Sequence, residues 1–185
     1  MTDPVDVMEL PQGDIRLLQS GVATRLLASR ELARVAYIAR DGTPRVFPMF
    51  FHWTGDELVL PTFAGAKKIG AMRANPAVAV TIDTAGSPPE VLLLRGRVDV
   101  VEVVGILPEY AAANRRYAGD EQGDANVAAL DRPGVRMARI SLRPTWVGVL
   151  DFQSRLPGGI TQEQFARRGQ EQESSSSQSR VQVVT

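Results

Sequence analysis

Cysteine is absent from the chain, histidine occurs once (His52) and lysine twice, and each shortage removes a class of chemistry. Without cysteine there is no disulfide, no thiolate metal ligand and no thiol nucleophile. A zinc centre built on histidines needs more than one imidazole. A serine triad would have to use His52, and no Gly-x-Ser-x-Gly turn presents a serine. An excess of charge is missing too, since 21 basic side chains balance 21 acidic ones. Sequence-independent binding of nucleic acid requires a basic field, so no nucleic-acid partner is expected. No apolar run approaches the roughly 18 residues of a membrane span. The N-terminus, "MTDPVDVMELPQGD", is acidic and lacks the charged-then-apolar layout of a secretion signal. A cytoplasmic location without membrane partners is the expectation.

What is present suits one domain. The 185 residues are 44% apolar, enough for a single core. Residues 1–13 read as a flexible lead-in, 14–156 as the folded domain, and 157–185, rich in Gln, Glu and Ser, as a disordered tail. Apolar positions recur at helical spacing from Asp14 to about Ser29, with Gly21 an interruption. The pattern then turns to short β-branched and aromatic runs. Asp41-Gly42 and "TGDE" at 54–57 are hairpin signals and predict strands near 33–40, 44–53 and 57–62. A short helix over 66–74 ends at Asn75-Pro76. Strands follow over 77–83 and 91–104, the latter bent at Gly96. "LPEYAAANRRYAGDE" is helical, and two further strands are broken at Pro144. The fold class expected is α+β: an antiparallel, closed or partly closed barrel of six or seven strands with helices between them.

The two lysines, Lys67 and Lys68, stand side by side in "TFAGAKKIGAMRANPAV", while the chain otherwise uses 19 arginines. They fall in the first turn of the 66–74 helix, where free amides and the helix dipole attract anions. Cations there oppose the dipole by about 0.3–1 kcal/mol each, so a bound anion would relieve the arrangement. Gly65 allows close backbone approach, Thr62 offers a hydroxyl, and Arg45 on a neighbouring strand is a further donor. An exposed lysine pair is more often a solvated face, and the local pattern alone leaves both readings open.

The order of "DGTPRVFPMFFHW", "GDELVLPTFAGAKKIGAMRANPAVAVTID" and "VLLLRGRVDVVE" resembles the split-barrel flavin-binding superfamily of pyridoxamine 5′-phosphate oxidase, over residues 30–152. The resemblance implies that Thr62, Lys67 and Lys68 hold the phosphate of FMN or of a deazaflavin coenzyme. It implies that Arg45, Val46, Phe47, Pro48 and Met49 run along the isoalloxazine ring. It also implies a homodimer with each cofactor wedged between protomers. Pro61 stands where the family has a tyrosine. Phe50 and Phe51 occupy the region where the oxidases proper have a lysine, and their C-terminal Trp and Arg-Leu-His segment is missing. The implied activity is that of an FMN-linked oxidoreductase acting on an unknown small molecule. The alternatives are a deazaflavin-dependent reductase and a flavin-binding protein without turnover.

Other residues carry two readings each. His52 could bond a flavin carbonyl or donate a proton, though a lone strand histidine is more often half-buried and satisfied. Arg95, Arg97 and Asp99 share a strand face; a salt-bridged surface is favoured over a pocket for an anionic substrate. For Arg115, Arg116 and Tyr117 a solvated helix face is the default. Trp146 suits ring stacking and core packing equally. Phe47, Met49 and Phe51 alternate as core residues do, which is compatible with walling a flavin site.

Overall fold

A computed structural model describes residues 7–157 together with 160, 163, 166 and 167. Nearly all of the expected tail, and the first six residues of the lead-in, lie outside the described residues. A 3-10 turn over Ile15–Gln19 leads into α1 (Gly21–Ala28), where the Ser20 hydroxyl accepts from the Ala23 amide as an N-cap. The break expected at Gly21 is therefore a capping junction.

Asp41-Gly42 forms the first hairpin. Gly42 adopts φ 80°, and Asp41 accepts from the Thr43 amide. This turn pairs β1 (Ala33–Ile38) with β2 (Pro44–Met49), setting Tyr37 opposite Arg45 and Val35 opposite Phe47. A second hairpin at Gly55 joins β3 (His52–Trp53) to β4 (Leu58–Phe63). The strand expected over 44–53 is thus divided at Phe50-Phe51, because β2 pairs with β1 while β3 pairs with β4. Phe51 is fully buried at that corner. With this division the structure has eight strands where six or seven are expected.

Next come α2 (Lys67–Ala74), β5 (Ala77–Asp83), β6 (Val91–Val104), α3 (Pro108–Ala118), α4 (Asp120–Leu130), β7 (Arg136–Leu142) and β8 (Trp146–Leu150). The sheet runs β2-β1-β5-β6-β7-β4-β3, with β8 also paired to β6 and every pairing antiparallel. Its two end strands, β2 and β3, are joined by only two residues, which holds the sheet curled as a split barrel. β6 changes partner near Gly96, from β8 over Val91–Arg95 to β7 over Val98–Val104. A Cβ at Gly96 would lie 2.8 Å from Leu142 Cδ1 and 2.9 Å from the Arg143 carbonyl, so the bend needs glycine.

The core is a single apolar cluster that includes Leu17, Leu26, Val35, Phe51, Leu60, Met72, Leu94 and Ile140. The end of the lead-in docks on the free edge of β8. Gln12 donates to the Val149 carbonyl at 2.7 Å and accepts from its amide at 2.9 Å, while Gly13 N–H donates to Val147 at 2.8 Å. The side-chain amide thereby completes a backbone ladder. Helix α4 was not anticipated, because "DEQGDANVAAL" carries few large apolar residues. It packs on α3 through Gly123, where a Cβ would come within 2.6 Å of the Arg115 backbone.

Candidate functional site

Strand β4 delivers the chain to α2 through Gly65, whose φ of 86° turns the backbone into the helix. Ala66 occupies the N-cap and supplies no side-chain bond, so the first amides of α2 are uncapped. Lys67 is the first helical residue. The helix stops at Asn75, as Pro76 requires.

Between this helix start and the β1–β2 hairpin lies a groove of about 750 Å³. Tyr37, Arg40, Asp41 and Arg45 line it from the hairpin, Gly65 through Lys67 and Arg73 from the α2 side, and Glu102 from β6. Four cations face two acids. Arg45 pairs with Asp41 at 3.1 Å, and Arg73 with Glu102 at 3.0 Å. Lys67 and Arg40 have no ion pair among the described residues. Arg40 lies against Gly70, where a Cβ would stand 2.8 Å from Nη2.

The groove brings Arg45 and Lys67 together, whereas Val46, Phe47, Pro48, Met49, Pro61, Thr62 and Lys68 are not among its lining residues. Lys68 sits with Nζ 4.4 Å from the Phe47 ring centroid, and burial pushes its ammonium pKa down. Pro61 is buried and Thr62 half-buried on β4, opposite Arg139 and Ala138 of β7. Val46 and Phe47 are exposed, by 65% and 48%, on a strand that has only one sheet neighbour. Pro48 is exposed beside them, whereas the Met49 side chain belongs to the core. Tyr37 and Arg40 were not singled out from the sequence. The hairpin register, which sets Tyr37 opposite Arg45, was the signal available for them.

A second cavity, of about 350 Å³, opens between α1, β3 and α3 and contains His52, Trp53 and Arg116. His52 is half-buried, and its pKa is held below the usual histidine value by burial and then by the Arg116 charge, with Glu109 opposing. Its ring makes no hydrogen bond to protein among the described residues, and the half-buried placement expected of a strand histidine is what the structure shows. Arg116 donates to the Phe51 carbonyl and lies over the Phe51 and Tyr117 rings, at 4.3 and 4.9 Å. Phe50 stacks on Tyr117 at 4.1 Å. Elsewhere, Arg95 covers Trp146 at 3.9 Å, and no ion pair of Arg95, Arg97 or Asp99 occurs among the described residues. Opposite β6 stand Ala77 and Ala79 on one side and Trp146 on the other, with no acid to pair the arginines. Among the described residues no three His, Asp or Glu side chains are placed to hold a metal, and no helix is long and apolar enough to cross a membrane.

The model of the pyridoxamine 5′-phosphate oxidase family matches residues 22–147, from α1 into β8. The chain belongs to this family. Family membership accounts for the split barrel as a whole. Solved structures agree. An F420 reductase is 26% identical, with a TM-score of 0.51 over 70% of this chain and 97% of that one. A conserved hypothetical protein from Mycobacterium tuberculosis is 17% identical, with a TM-score of 0.55 over 68% and 80%. A heme-binding protein from Mycobacterium smegmatis is 19% identical, with a TM-score of 0.53 over 90% and 62%. The last two share the fold alone. No curated protein sequence matches the chain.

Proposed function

We propose that the protein is a flavin-dependent oxidoreductase that anchors FMN by its phosphate at the start of α2. In this reading Thr62, Lys67 and Lys68 are the phosphate ligands and Arg45 adds a donor. Val46, Phe47, Pro48 and the Met49 backbone run along the ring, with Pro61 behind. The observation that carries the reading is the helix start without a side-chain cap, with Lys67 free of any ion pair among the described residues and Arg45 on the same groove. A dianionic phosphate there turns an unfavourable pairing of cations and dipole into a favourable one. The exposed apolar edge of β2 suits a homodimer with the cofactor between protomers. When bound, the flavin supplies hydride chemistry; the protein supplies binding, orientation and exclusion of water.

The similarity to an F420 reductase favours a second reading, in which the coenzyme is a deazaflavin and the protein a reductase that uses the same phosphate anchor. Parallel fluorescence titrations with FMN and the deazaflavin decide between them. Changing both lysines to alanine should weaken whichever cofactor binds, because charge-assisted hydrogen bonds contribute about 1.5–3 kcal/mol each. Unchanged affinity removes the phosphate assignment. Bound cofactor that no nicotinamide or substrate reduces would instead indicate a flavin-binding module without turnover.

A further inference from the structure

The His52 cavity shares no lining residue with the groove at α2. Arg116 is the feature that needs explaining. It is half-buried, and no carboxylate pairs with it among the described residues, although a partly desolvated cation ordinarily has one. Two nearby acids are engaged elsewhere, and Glu31, which lies near Tyr117, forms no ion pair with Arg116 among the described residues. Asp124 pairs with Arg115 at 2.6 Å, and Glu109 with Arg139 at 2.7 Å. Arg116 is nonetheless held in place, by the Phe51 carbonyl and by stacking on two rings. Its Nε is buried with no hydrogen-bond partner among the described residues. Among the other lining residues, His52, which makes no hydrogen bond to the described residues, Trp53 with its indole N–H and Thr24 carry polar atoms, and the Thr24 hydroxyl donates to the Ser20 carbonyl and keeps acceptor capacity. Leu18, Leu27, Ala28 and the largely apolar Trp53 side chain complete the wall.

We propose that this cavity binds a small organic acid, its carboxylate paired with Arg116 and contacted by His52, its apolar body against Leu18, Leu27 and Trp53. The volume lies at the lower end for small-molecule sites. Inorganic phosphate would satisfy Arg116 but leave the apolar wall uncovered. A neutral ring would cover the wall but leave the guanidinium unpaired. A planar guanidinium suits a carboxylate, which it can meet with two parallel N–H bonds. The proposal holds whether or not the groove at α2 takes a coenzyme.

The single histidine makes the test direct, because one imidazole C2–H resonance reports on this cavity alone. Benzoate titrated into the full-length protein should shift that resonance saturably. Benzamide, its neutral counterpart, and inorganic phosphate should each bind at least about tenfold more weakly. Arg116→Gln should lose benzoate by a similar factor, while Arg143→Gln, on an exposed arginine paired with Asp56, should leave it unchanged. Equal binding of benzoate and benzamide would overturn the proposal, as would phosphate competing on equal terms, or no saturable shift up to the solubility limit. These three outcomes use the unaltered protein and stand even if the Arg116 variant fails to fold.

Discussion

At the scale of the residue, the two lysines are alike in sequence and different in place. Lys67 is exposed on the groove with no ion pair among the described residues, whereas Lys68 lies over Phe47 with its charge partly desolvated. If both hold phosphate, Lys67→Ala should cost about 1.5–3 kcal/mol of cofactor binding, read as a tenfold or greater rise in Kd by titration. Lys68→Met, which keeps an apolar stem over the ring, should cost less thermal stability than Lys68→Asp. The distinction was invisible in the sequence, because it depends on which residue of β2 faces α2. His52 carries a pH prediction. Its folded pKa is depressed, so below its ordinary value of 6.5 the unfolded state takes up the proton more readily than the folded one. Stability should therefore rise with pH up to about 6.5 and then level off in this contribution, as thermal unfolding across the acid range would show. Arg116→Gln should move the histidine titration upward, because it removes one cause of the depression and leaves burial in place. An unmoved NMR titration would mean that burial alone sets the value.

At the scale of the element, the strongest turn signals were the most legible. Asp41-Gly42, Asn75-Pro76 and Pro144 each ended an element where the chain's own stereochemistry demands it. The bend of β6 at Gly96 was legible as a location but not as a cause. The cause is a long-range contact with the corner between β7 and β8, 46 residues on at Leu142. Gly96→Val should therefore overpack that corner by about 1–3 kcal/mol, a loss of roughly 2–4 °C in Tm per kcal/mol. A Tm within error of the parent would show that the corner relaxes freely. The docking of Gln12 on β8 had no local signal at all, since a side chain standing in for a strand obeys no periodicity. Gln12→Ala removes both bonds to Val149 and should cost about 1–3 kcal/mol, which denaturant unfolding would read as a lower midpoint at unchanged slope.

At the scale of the molecule, the antiparallel barrel could be read because most of its strands announce themselves through hairpins or breakers. The pairing order could not, since β6 joins partners from three parts of the chain. That order leaves β2 at the end of the path with a free edge, Val46 and Phe47 exposed, and Arg45 turned to the groove. A free edge with exposed apolar side chains invites a partner. In the proposed dimer the same strand would serve both the second protomer and the cofactor, so assembly and binding should be coupled. Val46→Asp probes this coupling. Val46 is 65% exposed and lies on the strand face away from Phe47, so the substitution should change the stability of the isolated fold by no more than about 0.5 kcal/mol. Sedimentation should show the parent as a dimer and the variant shifted towards monomer, with cofactor affinity falling in step as protein concentration is lowered. Two results would break the coupling: a parent that is monomeric at all concentrations, or a variant that dissociates yet binds cofactor as tightly as before. The second would place the whole anchor within one protomer, on the α2 groove, and leave β2 as an interface only.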